Sequence, residues 1–163
     1  MENDDIFPEP DALAKVAEFH SAFELPVKRS PGIPAEGRAE MRLALLEEEL
    51  QELRAAIERK DLVAVADAFS DLQYVLSGAV HEFGMGEIMK ACFDEVHRSN
   101  MSKCCANKRE AELTLDSYRE KGVLAGKIRK NEFGWVVYRE DGKVLKSIAY
   151  NPPDLSSIVH KKS

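Results

Sequence analysis

Two long runs of this sequence place apolar residues three and four positions apart, the spacing of a helix with one apolar face. The first run carries Leu43, Leu46, Leu50, Leu53 and Ile57, and the second carries Val65, Phe69, Leu72, Leu76, Val80 and Phe83. Only Lys60 and Asp61 interrupt the pattern, and Asp61 can cap the second helix. Since so short a connection requires antiparallel packing, the sequence predicts a hairpin of two helices ending near residues 59 and 83, each with a buried stripe.

Similar patterns predict helices over residues 11–23, 87–101 and 107–121. Gly84 is suited to end the second of the two long helices in a left-handed conformation. Residues 25–34 contain three prolines and predict an ordered loop. Residues 135–138 and 144–148 have the composition of strands, and Asp141-Gly142 between them predicts a β-hairpin.

Acidic side chains outnumber basic ones by 29 to 23, which gives a net charge of −6. This balance argues against nucleic acid or an anionic membrane as the main partner. No apolar run is long enough to span a membrane, and the acidic N-terminus is unlike a secretory signal. The three cysteines form no C-x-x-C pair, so we expect reduced thiols in a cytoplasmic protein.

The acidic residues of the two long helices follow the helical repeat. Glu49 and Glu52 lie one turn apart on one flank of the first stripe, and Asp71 lies on the same flank of the second. Antiparallel packing would bring these carboxylates together, and their repulsion would then require protons or a hard cation such as Mg²⁺. The alternative is an ordinary solvated helix face.

The fourth predicted helix extends its apolar stripe into two polar residues, Asn100 and Lys103. Lys103 is a candidate phosphate ligand, and Asn100 can coordinate a ligand or donate a hydrogen bond. The alternative is that both residues merely complete the C-terminal end of the helix.

Four segments carry a resemblance to a known family. They are FHxxF at 19–23, LLEEExxEL at 45–53, DAxxDLxYV at 67–75 and EVHRSNMSK at 95–103. In these segments the chain resembles the all-α nucleoside triphosphate pyrophosphohydrolases, the MazG-like and phosphoribosyl-ATP-pyrophosphohydrolase-like group. The likeness covers most of the chain and is weakest over residues 104–132.

The resemblance implies a mainly α fold, a four-helix bundle with a short C-terminal β-hairpin extension. We expect one domain over residues 1–163, with a helical core at about 9–105 and the extension at about 106–155. The implied reaction is Mg²⁺-dependent hydrolysis of a nucleoside triphosphate between its α- and β-phosphates, with Mn²⁺ as the alternative metal. The expected assembly is a homodimer, or a dimer of dimers, with the active site near the subunit interface.

The resemblance also assigns roles to residues. The family pattern E-x-x-E matches Glu49 and Glu52, and the Asp of the following E-x-x-D matches Asp71. The Glu of that second motif falls on Ala68, a departure that Asp67 or Glu48 would have to compensate. The implied roles are general base for Glu48 or Glu49, phosphate binding for Lys103, Lys146 and Asn100, and base binding for Phe19, His20 and Phe23.

Two alternatives stay open. Ala68 favours a non-catalytic nucleotide- or metal-binding helical module for dimerisation or regulation. Within the enzymes, dUTPase-like or phosphoribosyl-ATP specificity is the nearest alternative to a general triphosphate pyrophosphohydrolase that removes unwanted nucleotides.

Overall fold

A computed structural model of the protein describes residues 7–8, 10–123 and 125–161, and of Ala125 it describes the backbone. The chain divides into two compact units, one up to Met89 and one from Lys90 onward. This division falls earlier than residue 105, where the sequence suggested that a helical core would end. Most of the acidic N-terminal segment lies outside the described residues.

Over the described residues the first unit consists of three helices, and α1 and α2 both pack on α3. They are α1 (Ala12–Ala22), α2 (Glu36–Arg59) and α3 (Leu62–Glu82). Asp61 caps α3, since its carboxylate accepts hydrogen bonds of 3.1 Å from two backbone N–H groups in the first turn. Arg42 near the start of α2 contacts Glu82 at the end of α3. The predicted antiparallel helical hairpin is therefore confirmed.

The loop between α1 and α2 is held against the end of α3. The backbone N–H groups of Lys28 and Gly32 each donate a hydrogen bond of 3.0 Å, to the carbonyls of His81 and Phe83. Gly84 has a φ of 68°, and a Cβ at this position would lie 1.9 Å from the carbonyl oxygen of Ser30. The predicted ordered loop and glycine cap are confirmed, and only glycine satisfies both demands at residue 84.

The apolar stripes of α2 and α3 are only partly buried in the first unit, contrary to the prediction: Leu53 and Val80 are buried, but five other members are exposed. Ile57 is 56% exposed and Phe69 is 57% exposed. The exposed stripe residues also include Leu43, Leu50 and Leu76. The two helices meet instead through the neighbouring flank of each, where small side chains such as Ala56, Ala68 and Gly78 are buried.

The described part of the second unit contains three helices and a two-stranded sheet. They are α4 (Met89–Met101), α5 (Lys108–Glu120), β1 (Ala125–Asn131), β2 (Gly134–Arg139) and α6 (Ser156–Val159). Its core is a cluster of Cys105, Ala111, Val137 and Leu145, which α5 and the sheet supply together with the loops beside them. Since α4 belongs to this unit, the predicted bundle of four helices is not confirmed, although the fold is mainly helical.

The predicted β-hairpin is displaced along the sequence. β2 contains the predicted strand 135–138, but its antiparallel partner is β1 and not the predicted strand 144–148. Val144 of the other predicted strand forms only an isolated bridge with Tyr138. The Asp-Gly turn does form, since the N–H of Arg139 donates to the carbonyl of Lys143, but it does not open a second regular strand.

Among the described residues, no helix combines the length and the apolar composition that crossing a membrane requires.

Candidate metal and phosphate site

The acidic residues of the first unit lie beside the contact between α2 and α3. Glu49 is half-buried on the flank of α2 that also carries the buried residues Arg42, Leu53 and Ala56. Asp71 is half-buried on the flank of α3 that carries Ala68, whereas Glu48, Glu52 and Asp67 are exposed. The same packing that exposes the apolar stripes therefore turns the two acidic flanks toward each other.

The pKa of Glu49 shows the effect of the other acidic side chains on these two flanks. Burial raises the pKa of its carboxyl group above the ordinary value, and the negative charges of four other carboxylates raise it further, Asp71 first and then Glu52, Glu48 and Asp67. Every charge in this set is negative, so a hard divalent cation would relieve the repulsion. The donor chemistry thus fits Mg²⁺.

The carboxylates are of the right type for Mg²⁺, but they are not yet placed to coordinate it. Within the described ranges, no three His, Cys, Asp or Glu side chains are already placed to hold a metal ion. Ala68 is buried where the family motif has its second-helix Glu, and the neighbouring Asp67 is exposed. A bound metal would accordingly draw the carboxylates closer than they now lie.

A buried ion network lies where α2 begins and α3 ends, and it was not predicted from the sequence. The carboxylate of Glu82 accepts hydrogen bonds of 2.9 Å from the Nε atoms of both Arg38 and Arg42. The side chains of Glu82 and Arg42 are 1% and 7% exposed. Burial alone would raise the pKa of Glu82, but the hydrogen bonds from the two arginines outweigh it and hold the pKa below its ordinary value. A helical projection could have indicated this network, since Arg38 and Arg42 lie one turn apart on the α3-facing flank.

His20 belongs to the same network. Its Nδ1 lies 2.8 Å from the carbonyl oxygen of Pro26, and its Nε2 lies 3.1 Å from an Arg42 terminal nitrogen. Burial lowers the pKa of His20, which favours a neutral ring that donates to Pro26 and accepts from Arg42. A Cβ on Gly78 would lie 2.7 Å from a terminal nitrogen of Arg42, so a larger residue here would displace this guanidinium. With both ring nitrogens engaged and the ring buried, His20 presents no face to a base, which corrects its predicted substrate contact.

Phe23 is exposed beside other aromatic residues. The ring centroids of Phe19 and Phe23 are 4.4 Å apart, and Phe19 meets Tyr74 of α3 edge to face at 5.5 Å. A separate groove of about 410 Å³ lies between α1 and α3. It is lined by Pro10, Ala12, Lys15, Val16, Phe69, Ser70, Gln73 and Tyr74. None of the described residues that line this groove is a carboxylate, unlike the cluster around Glu49.

In the second unit, α4 holds the C-terminal segment. Glu95 accepts two hydrogen bonds from Arg98, at 2.7 and 2.8 Å, and one of 2.8 Å from the N–H of Asp154. These contacts lower the pKa of Glu95 to about 2. The Ser99 hydroxyl donates to that of Tyr150 at 2.9 Å. Several residues of the EVHRSNMSK segment thus serve to hold residues 150–154.

The predicted phosphate ligands lie in this second unit. The Nζ of Lys103 donates a hydrogen bond of 2.7 Å to the Oδ1 of Asn100, so the amide and the ammonium act as a pair. The Nζ of Lys146 lies 4.4 Å from the ring centroid of Tyr150, which Ser99 links to α4. Among the described residues, no carboxylate pairs with Lys103, Lys146 or Asn100.

Comparison with known proteins assigns the family. The family model described as phosphoribosyl-ATP pyrophosphohydrolase matches residues 16–100, more than half of the chain. Uncharacterized protein L479 of Acanthamoeba polyphaga mimivirus is 33% identical over 94 residues, which are 53% of this chain and 38% of that relative. The chain thus spans well under half the length of this relative. Since the matched residues make up more than half of the chain, this protein belongs to the phosphoribosyl-ATP pyrophosphohydrolase family.

Proposed function

We propose that this protein is a Mg²⁺-dependent nucleoside triphosphate pyrophosphohydrolase that acts on the nucleotide pool of the cytoplasm. The reaction adds one water across the α–β anhydride and yields a nucleoside monophosphate and pyrophosphate. The observation that carries the proposal is the convergence of four carboxylates on the half-buried Glu49. The family match supports the same class of reaction.

The first unit would supply the metal site. Glu49, Glu52, Asp71 and Asp67 are the proposed ligands of Mg²⁺, or of Mn²⁺ in its place. When bound, the metal would neutralise phosphate charge and polarise the anhydride. Glu48 or Glu49, whichever is less fully coordinated to the metal, would act as general base and accept the proton of the attacking water.

Phosphate contacts are proposed for three residues. Lys103 and Lys146 offer ammonium groups to the phosphate oxygens, and Asn100 positions Lys103 through their hydrogen bond. Phe23, with Phe19, offers an aromatic surface for the base. His20 would act indirectly, because it fixes the loop at Pro26 that follows Phe23.

Product analysis tests this reaction. The purified protein is incubated with ribo- and deoxyribonucleoside triphosphates and with phosphoribosyl-ATP, in Mg²⁺ or in EDTA, and the products are separated by anion exchange. We expect monophosphate or its phosphoribosyl equivalent, with pyrophosphate, only when Mg²⁺ is present. Diphosphate with orthophosphate would show that a different bond is cleaved. Preference for phosphoribosyl-ATP would favour the specificity that the family description names.

A non-catalytic nucleotide- or metal-binding module is the second candidate. Buried Ala68 favours it, since an acid is missing there, as does the lack of a preassembled ligand group among the described residues. Under this alternative, Mg²⁺ or nucleotide would raise the thermal stability of the protein, but no substrate in the panel would be turned over.

We further propose that two copies associate through the exposed apolar stripes of α2 and α3. On α2 the stripe forms a depression of about 360 Å³, lined by Leu50, Leu53, Arg54, Ile57 and Glu58. Exposed apolar side chains that recur along two adjacent helices are typical of an interface rather than of a solvated surface. A pair of dimers would form the tetrameric alternative.

Light scattering after size-exclusion chromatography tests this association. We expect a dimeric or tetrameric mass for the natural protein and a monomer for the double variant Leu50→Glu, Ile57→Glu, because each charge would be buried in an apolar contact. Leu113→Glu, on an exposed position of α5, is the control and should leave the mass unchanged. A natural protein that is monomeric at micromolar concentration would refute the interface.

A further inference from the structure

The net charge of the whole chain conceals two units of opposite sign. Residues 1–89 carry 19 acidic and 8 basic side chains, a net charge of −11, whereas residues 90–163 carry 10 acidic and 15 basic ones, a net charge of +5. The positive charge is concentrated at 121–146, with seven basic and three acidic residues. This segment begins after the last residue of the family match, so the family model covers none of it.

The basic residues of β1 are not neutralised. Lys127, Arg129 and Lys130 are exposed, and none of them pairs with a carboxylate among the residues that the structure describes. By contrast, Lys108 and Arg119 on α5 form ion pairs with Glu112 and Asp116. Arg109 is exposed on α5 as well, but α5 carries four acidic residues against three basic ones, whereas the hairpin exposes positive charge that acidic neighbours do not balance.

Aromatic rings accompany these cations. The guanidinium of Arg129 lies 5.8 Å from the ring centroid of Tyr138, and the ammonium of Lys130 lies 5.8 Å from that of Trp135. At the turn between the strands, Phe133 is 56% exposed. The acidic residues of this region are Glu132 on the turn, Glu140 after β2, and Asp141, which pairs with Arg139.

We propose that the β1–β2 hairpin binds single-stranded nucleic acid. Lys127 and Arg129 lie on the same face of β1 and would contact successive phosphates, and the exposed ring of Phe133 would stack on a base. Lys130, on the opposite face, would add attraction at longer range. An anionic membrane is less suited to this surface, because insertion needs more apolar area than one phenylalanine at a turn supplies. The hairpin lies outside the residues assigned to hydrolysis, so this activity stands apart from the proposed reaction.

Fluorescence anisotropy of the full-length protein with labelled single-stranded RNA and DNA tests the proposal. We expect binding in about 50 mM salt that weakens steeply toward about 200 mM. The triple variant Lys127→Gln, Arg129→Gln, Lys130→Gln should lose at least about tenfold in affinity and show a flatter salt dependence. Phe133→Ala should lose about tenfold with little change in the salt slope, since stacking releases no counterions.

Matched controls separate this surface from net charge and from catalysis. Lys108→Gln, Arg109→Gln, Arg119→Gln removes the same charge from α5 and should retain binding. Neither triple variant should alter nucleotide turnover or the circular dichroism spectrum. The probes for comparison are duplex DNA, inorganic polyphosphate and anionic vesicles.

Three outcomes would overturn the proposal. No binding at low salt would leave the cations with the ordinary role of protecting an exposed strand edge. Equal loss of affinity in both triple variants would show attraction by charge alone. Binding of polyphosphate or vesicles that matches the oligonucleotides and is insensitive to Phe133→Ala would identify a different ligand. Because binding is measured without turnover, failure here is distinguishable from failure of the proposed hydrolysis.

Discussion

Replacing Glu82 by glutamine should destabilise the first unit by about 3–5 kcal/mol, because it leaves the buried guanidinium of Arg42 without a countercharge. The amide keeps the shape of the side chain but supplies one acceptor oxygen in place of a carboxylate that binds two arginines. Arg42 also contacts His20, so the loss would extend to the loop that His20 holds. Urea unfolding at pH 7, followed by far-UV circular dichroism, measures the change.

The same carboxylate should make the stability depend on pH. The pKa of Glu82 is lower in the folded protein than in the unfolded chain, where it is near 4.5. Its contribution is therefore complete above that pH and is lost as the pH falls through the folded-state pKa. In Glu82→Gln this part of the acid dependence should disappear.

Glu58→Gln is the control for Glu82→Gln, since Glu58 is exposed on α2 and its substitution should change stability by no more than about 0.5 kcal/mol. A loss below about 1 kcal/mol in Glu82→Gln would show that the network does not hold the three helices together.

The helices could be predicted from the sequence because their signals are local. Periodicity located α1 to α5, and Asp61 and Gly84 marked the beginning and end of α3. The bounds of β1 and its pairing were not predicted, because Ile128 is the one apolar residue in the middle of the strand and basic residues flank it. The strand forms through its pairing with β2. Burial was misjudged for a related reason. The spacing shows that residues such as Ile57 and Phe69 lie on the apolar face of a helix, but not which flank of that helix packs against its neighbour.

For the candidate site, the helical repeat predicted which flank of each helix carries the acids. The effect of Asp71 on the pKa of Glu49 agrees with facing flanks. Metal binding and the roles of Asn100, Lys103 and Lys146 stay predictions. The buried network of Glu82 was missed because a charged residue at a helix end is ordinary in sequence. It becomes exceptional only when packing removes it from water.

Glu49→Gln should abolish most of the hydrolysis, with a loss in kcat/KM of about 10²–10⁴, as is typical for removal of a general acid–base group. The metal-free variant should nevertheless be at least as stable as the natural protein. Because the folded-state pKa of Glu49 is raised, its charge disfavours folding above the unfolded-state pKa, and glutamine removes that charge. In the natural protein, Mg²⁺ at 100 times its Kd should add about 2.7 kcal/mol of stability, and the variant should lose most of this gain.

Glu47→Gln is the matched control for that experiment. Glu47 lies in the same acidic run but is not among the carboxylates that shift the pKa of Glu49, so its variant should keep both turnover and the response to Mg²⁺. Thermal unfolding with and without Mg²⁺, measured beside the product analysis, separates the possible outcomes. If Glu49→Gln retained both turnover and metal stabilisation, the catalytic centre would lie elsewhere. If it lost metal stabilisation while the natural protein showed no turnover, the carboxylates would form a metal site in a binding module, because stabilisation by a ligand requires only binding to the folded state.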